Sequence, residues 1–279
     1  MSAWYEPVEP PAELRHLLAC TWIAHPTGEH LLTPDGCIDL LCTSTDILVL
    51  CGPDTHSWRF RLPEGTTAVG ARFRPGAAHA VFGQDMSQLL DARVPLEVVL
   101  GAAAAAEWRR QLGAAGGLAQ RRDTLAGLVA DHAGATVIPP PAEAVVELLT
   151  AEPMATVGTV AAAIGMSPRT LHRHSLKWFG YGTATLARLM RFHRFLAAAD
   201  AGLGPAPAGQ AENPARAAGG SLAAAAAEAG YFDQAHLARD CRAITGLTPT
   251  AFLSAHFPTF PDMTDPYKTQ RPLLATMGQ

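Results

Sequence analysis

Two short stretches of the chain carry side chains whose types and spacing suit hydrogen bonding to the edges of DNA bases. The first reads SPRTLHR and supplies Arg169, His172 and Arg173; the second reads DQAHLARDCR and supplies Gln234, Ala235, His236, Arg239 and Arg242. Arginine's planar fork can donate two hydrogen bonds to O6 and N7 of guanine, and glutamine can pair with adenine in the same bidentate way. A well-placed pair of this kind discriminates one base from another by about 1–3 kcal/mol. Small residues such as Ala235 and Ala238 let a helix approach the groove floor and touch thymine methyls. A lone arginine on a helix is usually just a solvated side chain, so the argument turns on whether the two stretches sit in matching elements.

They do, because the second half of the chain repeats itself. TVGTVAAAIG from Thr156 aligns with SLAAAAAEAG from Ser221, each opening on a hydroxyl and closing on a glycine, Gly165 or Gly230. A hydroxyl accepts the orphan N–H groups at a helix start, and glycine tolerates the left-handed backbone where a helix stops. One residue is then inserted in the second copy, after which Leu171 meets Leu237, Arg173 meets Arg239 and Gly180 meets Gly246. Each copy therefore predicts a short helix, a glycine turn and a second helix, the connectivity of a helix-turn-helix.

At 100° per residue the second helix of the first copy turns Leu171, Ser175 and Trp178 inward and Arg169, His172, Arg173 and Leu176 the other way. The second copy turns Leu237, Cys241 and Ile244 inward and Ala235, Ala238, Arg239 and Arg242 outward, with Gln234 and His236 on the flanks. Ser167 and Pro168 form an N-cap followed by proline at the first helical position. Between the copies, TATLARLMRFHRFLAAAD predicts a connecting helix with Arg188, Arg191 and Arg194 along one side. That row and Ser167 could meet phosphates, or the row could simply be solvated.

The 279 residues, 48% hydrophobic and 16% charged, have room for two ordinary domains. The formal charge of −4 excludes a chain coated in basic residues, but charge is unevenly spread: residues 1–141 hold ten arginines against fifteen acids, whereas residues 156–200 hold six basic side chains against one acid. Five cysteines without a CxxC pair, behind an N-terminus lacking the features of a secretory leader, point to reduced thiols in the cytoplasm. No uninterrupted apolar run is long enough to span a membrane.

Residues 31–75 read as short strands punctuated by Gly, Pro and Asp, and the rhythm changes to helices after Gly76. The predicted class is α+β: strands with packed helices over 1–133, a proline-rich linker over 134–141, an all-α unit over 142–257 with a mobile Gly/Pro/Ala insertion at 201–220, and an irregular tail over 258–279.

The segment GYFDQAHLARDCRAITGLTPTAF resembles the second helix-turn-helix of the AraC-type transcription regulators, and SPRTLHRHSLKWFGYGTATLARLMRFHRFL resembles the first unit of that family's actinobacterial-type branch. The likeness departs from the family pattern at Thr183, where proline is usual, at Cys241, where a large apolar residue is usual, and at the 201–220 insertion. It implies a sequence-specific DNA-binding regulator whose base-reading roles fall on Arg169, His172 and Arg173, and on Gln234, Ala235, His236 and Arg239. Double-stranded DNA is the implied partner, with RNA polymerase and a second copy of the chain as further partners such a regulator would take.

The order PDGCIDLL, CGPD and GARFRPGAAHAVFG is similar, less specifically, to the sensor domain of the same branch. That implies a cupin-like β-barrel that takes an unidentified effector, supports dimerisation, or does both. Arg72 and Arg74 alternate with Phe73 and could hold an anionic effector, a surface pair being the plainer reading. His25, His30, His56 and His79 are scattered, Asp35 and Asp39 read as turn-capping residues, and no constellation supports catalysis, a metal or a cofactor. The competing reading is a cupin-like small-molecule binding protein or enzyme whose helical half has become structural.

Overall fold

A computed structural model describes residues 4–202 and 222–256. The insertion expected at 201–220, beyond the two residues that end a helix, and the tail expected at 258–279 lie outside the described residues.

Eight strands form the first half: β1 (Tyr5–Val8), β2 (Leu18–Ala24), β3 (His30–Leu32), β4 (Ile38–Thr43), β5 (Leu48–Cys51), β6 (Trp58–Phe60), β7 (Ala68–Phe73) and β8 (Arg93–Pro95). Six of them make an antiparallel sheet in the order β1-β2-β7-β4-β5-β8, and β3 pairs with β6 in a separate ribbon. This corrects the expected barrel. β1 and β8 end the sheet as edges and do not pair with each other, so the strands form an open sheet with a two-stranded ribbon beside it. Local patterning predicts strands and turns, whereas closure depends on pairing between strands distant in sequence.

β7 is buried along its whole length because it lies inside the sheet, with both faces covered. On one face, Leu18, Leu40, Leu50, Ala71 and Phe73 join a core that includes Phe82, Trp108, Leu125 and Val129. These last four come from the helices α1 (Ala77–Phe82), α3 (Ala102–Gly113) and α4 (Leu118–Ala133); α2 (Leu96–Leu100) precedes α3. The opposite face carries Tyr5, Cys20, Trp22, Ala24 and Ala68 as a second apolar cluster. Gly70 sits under the Trp22 indole: a Cβ there would collide with the ring, so glycine is what lets the indole lie across the strand.

The second half is helical: α5 (Pro140–Ala151), α6 (Val157–Ala163), α7 (Pro168–Phe179), α8 (Thr183–Gly202), α9 (222–228), α10 (Gln234–Thr245) and α11 (Pro249–His256). Pro140 and Pro141 occupy the first turn of α5, where the N–H that proline lacks would have no helical partner anyway. The apolar core runs without a break from the sheet into this half through Met86, Ile138, Phe179, Tyr181, Leu186 and Phe192.

The inserted residue aside, the two helix-turn-helix units match bond for bond. In the first turn the Met166 N–H reaches the Ala161 carbonyl at 2.9 Å and Gly165 reaches Ala162 at 3.1 Å; in the second, Tyr231 reaches Ala226 at 2.9 Å and Gly230 reaches Ala227 at 3.0 Å. Both glycines have φ in the left-handed region, 69° and 86°. Thr156, Ser167 and Asp233 cap α6, α7 and α10 by accepting from backbone N–H groups three residues on, and Gly180 and Gly246 close α7 and α10.

Candidate functional site

The outer faces of α7 and α10 largely follow the helical spacing, with Leu176 and Ala238, expected outward, half-buried. Leu171, Ser175 and Trp178 are buried under α7, and Leu237, Cys241 and Ile244 under α10. Ser167, Arg169, His172 and Arg173 are exposed on the first unit, as are Gln234, Ala235, Arg239 and Arg242 on the second, with His236 half-buried. The one-residue insertion places Phe232 between the turn and the Asp233 cap, where it is 87% exposed. The repeat shows the insertion, whereas the exposure of its side chain is set by the packing of the turn.

Sequence leaves the arginine row on α8 open between phosphate contact and solvation, and in the fold two of its members have internal partners. Arg194 donates to the carbonyls of Leu149 and Thr150 at 2.5 and 3.0 Å, which lie in the last turn of α5. Those carbonyls lack helical partners and form the negative end of the helix dipole, a natural seat for a cation. Arg191 donates to the Pro153 carbonyl at 2.9 Å and pairs with Asp240 of α10 at 3.3 Å, while its guanidinium lies 5.4 Å from the Tyr231 ring. Arg191 and Arg194 therefore tie helices together, and only Arg188 of the row is left as a phosphate candidate. A helical wheel gives the side of a helix, not which neighbours cover it.

Arg191 thus joins the segment before the first unit to α10 of the second. The join is reinforced where a Cβ on Gly230 would come within 2.7 Å of Pro153. The two helix-turn-helix units are joined to each other by these contacts among described residues.

A cavity of about 280 Å³ opens on the sheet face opposite the helices, lined by residues that include Trp4, Tyr5, Trp22, Leu41, Val49, Trp58 and Phe60. Four charged side chains also line it, Asp39, Asp54, Arg72 and Arg93. Arg72 pairs with buried Asp35 and, at 3.2 Å, with Asp39, whose other oxygen accepts from the Trp22 indole at 2.8 Å. Asp35 also accepts from the Cys37 N–H at 2.9 Å, so its turn-capping role stands beside an ion pair. Burial pushes the Asp35 carboxyl up, but Arg72, His193 and the Cys37 N–H together outweigh it and hold the group below the usual range; for Asp39 burial wins and the shift is upward. Arg93 forms two bonds to Asp54, at 2.9 and 2.8 Å, and stacks 4.0 Å over the Trp58 ring.

Arg72 and Arg74 do not share a site. Arg72 lines the aromatic cavity, while Arg74 donates to the Arg15 carbonyl at 2.9 Å and lines a separate cleft with Glu9, His16 and Glu143. The strand ends at Phe73, and the partner strand β2 carries a bulge between Leu18 and Cys20, so alternation does not carry past Arg72. Arg72 and Arg74 are both buried, which corrects the surface pair favoured on sequence, and Arg72 and Arg93, the two guanidinium groups of the cavity, are each matched by carboxylates.

Residues 52–58 run between this cavity and the ends of α7 and α10. Asp54 and Trp58 face the cavity. Pro53 packs against Gly180, the cap of α7, and the Ser57 N–H donates to the Ile244 carbonyl at 2.6 Å, in the last turn of α10. Asp91 holds the same segment through the N–H and hydroxyl of Thr55.

Among the described residues no group of three or more His, Cys, Asp or Glu could hold a metal ion, and no helix is long and apolar enough to cross a membrane. No disulfide joins the five cysteines.

Among known families, one described as Domain of unknown function (DUF6597) matches residues 6–95. No curated protein matches the chain. Among solved structures the chain is similar to the crystal structure of an apo lysine-to-alanine variant of ToxT from Vibrio cholerae strain SCE256, at 10% identity and a TM-score of 0.38, over 90% of this chain and 95% of that one.

Proposed function

We propose that the chain is a sequence-specific DNA-binding transcription regulator of the AraC type, in which the helical half reads two successive major grooves and the strand half takes an effector. The observation that carries this reading is the pair of turns with the same hydrogen bonds 65 residues apart, each presenting an exposed polar face on its second helix. Arg169, His172 and Arg173 read bases through α7; Gln234, Ala235, His236, Arg239 and Arg242 read through α10. Phe232 adds an apolar contact at the N-terminal end of α10, where a thymine methyl is the matching group. Ser167 and Arg188 are assigned to phosphate. The aromatic cavity is the effector site, and residues 52–58 join it to the ends of both reading helices.

Selection of binding sites from genomic DNA by the full chain, repeated at several salt concentrations, tests this directly. A preferred site is expected, and no preference over random duplex would overturn the reading. Within that site Arg239→Ala should relax preference at one base pair, at a cost of about 1–3 kcal/mol.

A further inference from the structure

We infer that the aromatic cavity takes an uncharged, flat aromatic molecule bearing a hydroxyl that can donate to a cavity carboxylate, and that it discriminates against charged relatives of the same size. The inference rests on the reading of this cavity as the effector site and names the ligand's chemistry. Shape speaks first: three tryptophans, a tyrosine and a phenylalanine line the space, Trp4, Trp22, Trp58, Tyr5 and Phe60. Aromatic faces favour stacked or edge-on rings, with more gained per contact than from area alone. His30, stacked on Phe60 behind that wall, is held toward its neutral form by burial.

Charge speaks second. The two guanidinium groups and two carboxylates lining the cavity balance, and each guanidinium is already paired inside the protein. An incoming carboxylate would have to displace Asp39 or Asp54 and leave a buried anion without a partner, which is costly. An incoming ammonium would meet Arg72 and Arg93, and the Trp58 face that a cation would seek already carries the Arg93 guanidinium. The Cys51 thiol on the wall, pushed up to about 12 by burial, contributes no charge near neutral pH.

Hydrogen-bonding capacity speaks third. Asp39 and Asp54, as carboxylates, retain acceptor capacity for a ligand hydroxyl.

Calorimetric titration of the full chain with 2-naphthol, 2-naphthoate and 2-naphthylmethylammonium separates these terms, because the ring is held constant while the charge changes. The expected result is one site per chain for 2-naphthol, at least about tenfold tighter than for either ion. Leu41→Phe should fill the cavity and abolish that site while circular dichroism stays unchanged; Trp58→Ala, read alongside, should weaken it. A charged probe binding as tightly as 2-naphthol, no binding by 2-naphthol, or binding unaltered in a folded Leu41→Phe protein would overturn the inference. None of these titrations contains DNA, so their failure is distinct from failure of the site-selection experiment.

Discussion

Arg72 is shared by two carboxylates that respond to burial in opposite ways, and that difference is measurable. Asp35, 4% exposed at its side chain, is held ionised by Arg72, so its contribution to stability is present above the ordinary aspartate range and is lost as pH falls through its lowered value. Asp39 runs the other way: with its value raised in the fold, ionisation costs stability as pH rises through that value. Urea unfolding at pH 7 should therefore show Asp35→Asn destabilised by about 3 kcal/mol, the lower end of what breaking a buried pair costs, with Asp39→Asn affected less. In acid the Asp35→Asn deficit should shrink; a deficit independent of pH would show that the carboxylate acts by shape alone. Phe232 gives a second test at this scale. It touches solvent over most of its surface, so Phe232→Ala should leave the melting temperature within the change expected of about 0.5 kcal/mol while weakening binding to a selected DNA site. Equal affinity of the two proteins for that site would remove Phe232 from the reading surface.

The two helix-turn-helix units were legible in the sequence because their signals are local. A hydroxyl or carboxylate cap, a glycine with positive φ and an inward Leu171 or Leu237 each act within a few residues, and the structure places them as that spacing predicts. What depended on distant partners was not legible. Open sheet order, the separation of Arg72 from Arg74 and the use of Arg191 and Arg194 as internal ties all follow from which segments meet across the fold. α8 illustrates the point: its arginines lie on one side, as the wheel requires, but α5 and α10 cover that side. Arg191→Ala should consequently destabilise the helical half by about 3 kcal/mol and weaken binding to specific and random duplex through loss of the fixed register between α7 and α10. Thermal melting together with the salt dependence of DNA binding decides between the roles. A normal melt with a salt slope lowered by about one would instead assign Arg191 to phosphate.

One apolar core runs from the sheet into α7, α8 and α10, and residues 52–58 touch both the cavity and the ends of α7 and α10. Asp54 and Trp58 at the cavity are next in sequence to Pro53, against Gly180, and to Ser57, bonded to Ile244, so this segment is the route by which occupancy of the cavity would reach the helices. The Ile244 carbonyl lies in the last turn of α10, where helical partners run out, and the Ser57 N–H satisfies it; Pro at position 57 would remove that donor. If this segment transmits ligand occupancy, saturating 2-naphthol should change affinity for a selected DNA site by about fivefold or more, and the same DNA should change 2-naphthol affinity by the same factor, as linkage requires. In Ser57→Pro each partner should still bind alone while the factor falls toward one. A factor preserved in Ser57→Pro would place transmission elsewhere in the shared core, with the contact of α7 on the 3-10 turn Met86–Leu89 as the next segment to alter.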